Sequence, residues 1–194
     1  MRIIKYIIGL LISVLVSYLV IEYLAYPTLS SYPRLSNTMA RFPYTKFTLI
    51  LSLSICLWLA YIQWDLKKVS VIYLYLASTV YLFLLFVVLF TKAKSYHDIS
   101  LDVFDFIKPD QRDIREAILN VIYFMPLGAI YGFKANKYEF VVIALVTILG
   151  VETIQYAFYL GTFALSDILL NFIGSSFGFA LCKVLGKRLD IESL

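Results

Sequence analysis

The sequence predicts an all-α fold, a polytopic bundle of about six transmembrane helices. Hydrophobic residues make up 61% of the 194-residue chain and charged residues only 15%, which is typical of membrane proteins rather than soluble ones. The charges leave several apolar blocks of about 20 residues, each long enough to cross roughly 30 Å of hydrocarbon. These blocks lack alternation at period two and are about twice as long as a barrel strand, which favours helices. A large soluble domain is excluded.

The six apolar segments can be placed in order along the chain. Between the first two, residues 26–46 contain three prolines and are predicted to form a loop, because proline stops helices. Only the four residues from Asp65 to Lys68 join the second and third segments, which predicts an antiparallel hairpin. The segments are expected at about residues 3–23, 47–64, 69–91, 116–133, 140–160 and 168–186.

The longest and most charged connection, residues 92–115, surrounds a series of apolar residues with acidic and basic ones. This pattern predicts a short amphipathic element along the membrane surface. The connection also holds His97, the single histidine, which cannot complete a common metal site by itself. Cys56 and Cys182 lie within apolar segments, so neither a disulfide nor a zinc site is predicted. No metal and no other cofactor is expected.

The distribution of Lys and Arg predicts the orientation and the partners. Basic residues crowd into the N-terminus, the short connections and the C-terminal end, whereas on the opposite face they are spread through two long connections. The positive-inside rule then predicts that both termini lie inside, in a multi-pass protein of the cell membrane. The net charge of +4 does not indicate nucleic-acid binding, because flanking Lys and Arg face lipid headgroups. Membrane lipids are the expected partners, and a homo-oligomer stays open.

Five polar residues interrupt the last three segments and come to the same half of the bilayer. They are Asn120 in segment four, Glu152 and Gln155 in segment five, and Asp167 and Asn171 in segment six. A carboxylate at membrane depth costs several kcal/mol unless it is protonated, paired or hydrated, so it is a functional-site hypothesis by default. Glu152 is expected about 12 Å below the end of its segment, at 1.5 Å per residue. Arg115 or Arg112, at the mouth of segment four, is a candidate partner for Glu152.

Small residues in the same segments predict close helix packing. Gly174 and Gly178 form a GxxxG pattern, whose missing side chains let a neighbouring helix approach. Pro126 and Gly128 stand in segment four, where the proline ring is expected to bend or loosen the helix. Each polar residue can also be purely structural, since Asn and Gln often hydrogen-bond neighbouring helices and Asp167 can cap its own helix.

Three motifs, in this order, resemble the VanZ-like family. They are N-V-I-Y-F-M-P-L-G from Asn120, E-T-I-Q from Glu152, and D-I-L-L-N-F-I-G from Asp167 with Gly178 beyond. The resemblance divides the chain into N-terminal segments at 1–95, a VanZ-like region at 96–186 and a short tail at 187–194. It implies a small integral membrane protein of the bacterial envelope, associated in some members with reduced susceptibility to teicoplanin and related lipoglycopeptides. The residues that match the motifs are Asn120, Pro126, Gly128, Glu152, Gln155, Asp167, Asn171 and Gly174.

The polar residues and the resemblance leave three classes of function open. The first is binding or modification of an amphiphile, such as a lipid-linked envelope precursor, in a polar cavity in the outer half of the bilayer. Glu152 and Asp167 are then the candidate catalytic residues, because a buried carboxyl can exchange a proton. Whether a reaction is catalysed stays open. The candidate ligand-binding residues are Arg115, Asn120, Gln155 and Asn171.

The second class is a small proton-coupled transporter, with Glu152 as the residue that takes up and releases the proton. The third is a structural scaffold for envelope assembly, in which Glu152 and Asp167 only fix the packing of the helices. A substitution of Glu152 that lowers stability, with no separate effect on a ligand, is expected for a scaffold alone.

Overall fold

The computed structural model describes residues 2–91, 98–107, 111–186 and 190–192. Within these residues, six helices are long and apolar enough to cross a membrane, and the predicted all-α helical bundle is confirmed. The α-helices are α1 (Arg2–Val20), α2 (Tyr26–Ser30), α3 (Pro33–Ala40), α4 (Thr45–Leu66), α5 (Val71–Thr91), α6 (Gln111–Gly132), α7 (Lys137–Ala157) and α8 (Leu165–Gly186).

The prediction of a loop at residues 26–46 was wrong, because most of these residues are helical. The first helix continues from α1 through a π-helical stretch, Ile21–Ala25, into α2, and α3 follows after a short turn. Pro27 and Pro33 occupy the first turn of α2 and α3. A proline is tolerated there because its missing N–H would have no partner within the helix.

Among the described residues, four short strands join connections to one another rather than forming a layer. β1 (Lys68–Ser70) pairs in parallel with β4 (Asp190–Glu192), and β2 (Ile99–Ser100) pairs in parallel with β3 (Phe163–Ala164). The β2–β3 pair holds the connection before α6 against the one between α7 and α8. His97 lies outside the described residues. The predicted position of the 92–115 connection along the membrane surface stays a prediction, as does the inside location of the two termini.

The helices divide into two compact units. One contains α1 to α4, the start of α5, β1 and β4, and the other contains the rest of α5, β2, β3 and α6 to α8. In the first unit, α1 and α4 run antiparallel, and the indole N–H of Trp58 donates to the carbonyl oxygen of Tyr6 at 3.0 Å. Ion pairs join the two helices at both ends. They are Lys5 with Asp65 and Lys46 with Glu22.

In the second unit, α6 and α8 run parallel with their backbones in contact. A Cβ atom at Gly174 would clash with the carbonyl oxygen of Val121, and a Cβ atom at Gly178 would clash with that of Met125. From the other side, a Cβ atom at Gly128 would clash with the backbone of Ser175. Glycine is therefore required at these positions for the two helices to approach this closely.

One more glycine of this contact, Gly132, was not predicted from the sequence. A Cβ atom at Gly132 would lie 2.7 Å from the Cβ atom of Cys182 on α8. Gly128 and Gly132 are four residues apart, so α6 carries a GxxxG pattern of its own, facing that of α8. The spacing is visible in the sequence as G-A-I-Y-G and could have revealed the contact.

Replacing Gly178 by alanine is expected to destabilise the protein by about 1–3 kcal/mol, because the added methyl meets backbone atoms that cannot move aside. Gly150→Ala is the matched control, since a Cβ atom there meets nothing within 4 Å. It is expected to leave stability unchanged or slightly higher, as alanine favours helices. Thermal unfolding of both variants in the same detergent measures the difference. Equal stability of the two variants would contradict the backbone contact.

Candidate functional site

A deeply buried contact between two polar side chains of the second unit joins α7 to α8. Glu152 and Asn171 are each only 2% exposed, and the Asn171 side-chain nitrogen donates to Oε1 of Glu152 at 3.4 Å. The oxygen of the same Asn171 amide is buried and has no hydrogen-bond partner among the described residues. A buried acceptor without a partner costs about 1–3 kcal/mol. The Asn171 amide is therefore only partly satisfied in this structure.

A second pair of polar residues joins α6 to α8. The side-chain nitrogen of Asn120 donates to Oδ1 of Asp167 at 2.7 Å, a good hydrogen-bond distance. Asn120 is buried, whereas Asp167, the third residue of α8, is half-buried. Asp167 and Asn171 are four residues apart and share one face of α8. The two pairs therefore follow one another along this face, from a partly exposed carboxylate to a buried one.

The depth of Glu152 differs from the prediction. Helix α7 ends at Ala157, and Tyr159 beyond it adopts a left-handed backbone conformation with φ of 56°. At 1.5 Å per residue, Glu152 lies about 8 Å from the end of its helix rather than about 12 Å. Asn171 lies about 9 Å from the start of α8 by the same measure. Both residues thus lie in the half of their helices that meets the α7–α8 connection.

Gln155 contacts a different helix from its neighbour Glu152. Its side-chain nitrogen donates to the carbonyl oxygen of Leu89, in the last turn of α5, at 2.8 Å. Carbonyl groups in the last turn of a helix have no partner within that helix. The Gln155 amide therefore supplies a hydrogen bond to a carbonyl group at the end of α5. The sequence alone could not distinguish this structural role from ligand binding.

Two of the predicted residues lie apart from the buried pair. Arg115, in the second turn of α6, is exposed, and no ion pair joins it to Glu152 in the described part of the chain. The side chain of Arg112 is not among those described. Pro126 is also exposed, so it lies outside the contact that Gly128 makes with α8. The carbonyl oxygen of Tyr123, one turn before Pro126, accepts a hydrogen bond from the Tyr81 hydroxyl at 2.6 Å.

Sequence reasoning missed two buried serines on α8. Ser175 is fully buried, and its hydroxyl donates to the carbonyl oxygen of Phe124 at 3.4 Å. Ser166 is 2% exposed and precedes Asp167. Asp167, Asn171 and Ser175 follow one another at intervals of four residues, which places them on one face of a helix. This spacing could have predicted that Ser175 belongs to the buried polar face.

Comparison with known proteins identifies the family of this chain. The VanZ/LLP1 family model matches residues 70–186, which is more than half of the sequence. The chain belongs to the VanZ/LLP1 family. It is also 29% identical over 103 residues to Protein VanZ of Enterococcus faecium, over 52% of this chain and 63% of that protein. This chain thus covers less than two thirds of the length of its curated relative. No solved structure matches.

The VanZ/LLP1 region contains every residue of the two polar pairs. Their chemistry consists of two carboxyl groups and two amides, which can bind hydrogen-bonding groups and exchange protons. In the described residues, no group of three or more His, Cys, Asp or Glu side chains could hold a metal ion. The arrangement is therefore suited to polar recognition and acid–base chemistry within an apolar bundle.

A double-mutant cycle of Asn120→Ala and Asp167→Ala tests the pair between α6 and α8. Each single variant is expected to lose stability, and the double variant to lose less than the sum. The expected coupling energy is about 0.5–1.5 kcal/mol, the range of side-chain hydrogen bonds between membrane helices. Unfolding by denaturant in mixed micelles measures it. Strictly additive losses would mean that the two side chains do not interact.

Proposed function

We propose that this protein is a multi-pass protein of the bacterial cell membrane that binds the polar headgroup of an amphiphile at Glu152 and Asn171. The ligand class is a lipid-linked precursor or another amphiphile of the envelope. One observation carries the proposal. It is the buried Asn171 amide oxygen, which has no hydrogen-bond partner in the described residues and lies beside a buried carboxyl group.

The chemistry of the site favours a ligand that donates hydrogen bonds. An amide oxygen accepts and cannot donate, and a carboxylate does the same when ionised. Hydroxyl, amide N–H and ammonium groups are the matching donors, and sugar or peptide headgroups carry several of them. A ligand that supplies such a donor would satisfy the Asn171 amide oxygen, which explains why this oxygen has no partner among the described residues.

A headgroup would approach the site from the connection between α7 and α8. Glu152 and Asn171 are closed off in this structure, whereas Asp167 on the same face of α8 is half-buried. Asp167 therefore offers the first polar contact, and the ends of α7 and α8 would separate to admit the ligand to the deeper pair. If a reaction follows, Glu152 is the candidate acid or base and Asp167 its nearest carboxyl neighbour on α8.

Membership of the VanZ/LLP1 family supports a ligand of the envelope. The resemblance implies reduced susceptibility to teicoplanin and related lipoglycopeptides in some members. A protein that binds an envelope amphiphile in the membrane provides a direct physical link to such a phenotype.

A second candidate function is proton-coupled transport. The observation that favours it is the order of polar side chains on α8, from half-buried Asp167 to buried Asn171 in contact with Glu152. Carboxyl groups at membrane depth form proton relays in pumps and transporters, and here the Asn171 amide would orient Glu152 rather than carry the proton. The two functions differ in what they need: headgroup binding persists in detergent, whereas coupled transport requires a pH gradient across a sealed membrane.

Glu152→Gln is expected to abolish any reduction of teicoplanin susceptibility that the unmodified protein confers on cells lacking it. The substitution keeps the shape of the side chain but removes the charge and the exchangeable proton. Glu139→Gln is the matched control on the same helix. Glu139 accepts a hydrogen bond from the Asn136 backbone in a capping box at the other end of α7, and glutamine can take the same role. Susceptibility is compared at equal abundance in the membrane.

Two outcomes would contradict the proposal. An unchanged phenotype for Glu152→Gln at equal abundance would exclude a mechanism that depends on this carboxyl group. A loss of phenotype that follows only from lower abundance would favour the scaffold function instead.

A further inference from the structure

The first unit contains an apolar groove that the buried polar site does not use. The groove lies between α1 and α4 and has a volume of about 630 Å³. Ile4, Ile8, Ile12 and Val16 line it from α1, and Leu57 lines it from α4. The isoleucines are more than half exposed. In a helix of a membrane protein, such side chains face lipid.

Two small residues of α1 also line the groove. They are Gly9 and Ser13, four residues apart. A Cβ atom at Gly9 would lie 2.5 Å from the ring of Tyr61, so this glycine lets the ring pack against α1. The Ser13 hydroxyl donates to the carbonyl oxygen of Gly9 at 2.8 Å and is therefore already satisfied.

The length of the groove corresponds to one leaflet of a bilayer. Ile4 and Val16 are twelve residues apart, or about 18 Å along a helix at 1.5 Å per residue. Half of the hydrocarbon core measures about 15 Å. The groove therefore matches an acyl chain that extends from the membrane surface to the middle of the bilayer.

Positive charge is concentrated at one end of the groove. Lys5 lines this end, and its side chain is 52% exposed although its ammonium group pairs with Asp65. A lysine ammonium has three N–H donors, so the ion pair leaves donors for a ligand. Arg2 lies three residues before Lys5 on α1, so the two basic residues share one face at this end of the helix and outnumber the single carboxylate of Asp65. At the other end of α1 and α4, Glu22 and Lys46 balance each other.

We propose that this groove binds one acyl chain of an anionic phospholipid, with the lipid phosphate at Lys5 and Arg2. The ligand is complementary to the site, because it is negatively charged at the end where the groove is positive and apolar along the rest of its length. A second copy of the protein, placing a helix in the groove, would not need the excess positive charge at one end. This site is independent of the headgroup site at Glu152.

Quenching of tryptophan fluorescence by brominated phospholipids tests the proposal in reconstituted bilayers. The chain has two tryptophans, Trp58 and Trp64, both on α4, and Trp58 follows Leu57 and contacts α1. Brominated phosphatidylglycerol is expected to quench more strongly than brominated phosphatidylcholine at equal mole fraction. Lys5→Gln is expected to lower this preference about fivefold, the effect of one basic residue at a membrane surface.

Two further variants serve as controls for Lys5→Gln. Lys46→Gln removes a lysine at the other end of the same helix pair and is expected to leave the preference unchanged. Asp65→Asn removes the acid that competes for Lys5 and is expected to raise the preference for phosphatidylglycerol. This variant tests the proposal independently of whether Lys5→Gln folds. Equal quenching by both lipids, equal effects of the two lysine variants, or a lower preference in Asp65→Asn would each overturn the proposal. So would protection of Trp58 and Trp64 from both lipids, the result expected if a protein helix fills the groove.

Discussion

The contact between the backbones of α6 and α8 is the constraint on which the functional part of this protein depends. Glycines on both helices face main-chain atoms of the other, so no side chain separates them. This close approach brings Asn120 within hydrogen-bond distance of Asp167. It also determines which face of α8 is turned towards α7, and hence that Asn171 meets Glu152. Without the glycine contact, the four polar residues would lie on three helices with no reason to converge.

The two polar pairs differ in how completely they are satisfied. The Asn120–Asp167 hydrogen bond is short, and Asp167 is partly exposed, so this pair needs no ligand to explain it. The Asn171 amide is almost fully buried, its contact to Glu152 is long, and its oxygen has no partner in the described residues. Polar groups buried at membrane depth are costly, and incomplete satisfaction there is unusual enough to require a cause. We favour a ligand that donates hydrogen bonds as the reason why the Asn171 amide is incompletely satisfied. This incomplete satisfaction distinguishes the deeper pair from ordinary contacts between helices.

The sequence predicted the helices well because apolar blocks free of charge have few alternatives in a membrane. It also predicted that polar residues of three segments reach the same half of the bilayer, since that follows from counting spans. It could not predict their partners, which depend on how each helix is rotated. Gln155 lies three residues from Glu152 but bonds to Leu89, 66 residues away along the chain. The helices at 26–40 differ from the prediction because proline breaks the interior of a helix but is tolerated in its first turn, where Pro27 and Pro33 lie.

The distance between the Glu152 carboxyl group and the Asn171 side-chain nitrogen in a lipid bilayer decides whether the buried pair exists in the membrane. Solid-state NMR on protein labelled with ¹³C at glutamate carboxyl groups and ¹⁵N at asparagine side chains measures it as a dipolar coupling. We expect a coupling between carbon and nitrogen that is consistent with the 3.4 Å contact between nitrogen and oxygen and that disappears in Asn171→Ala. A spectrum from folded protein in which that substitution removes no coupling would contradict the account, because Glu152 and Asn171 would then be apart in the membrane.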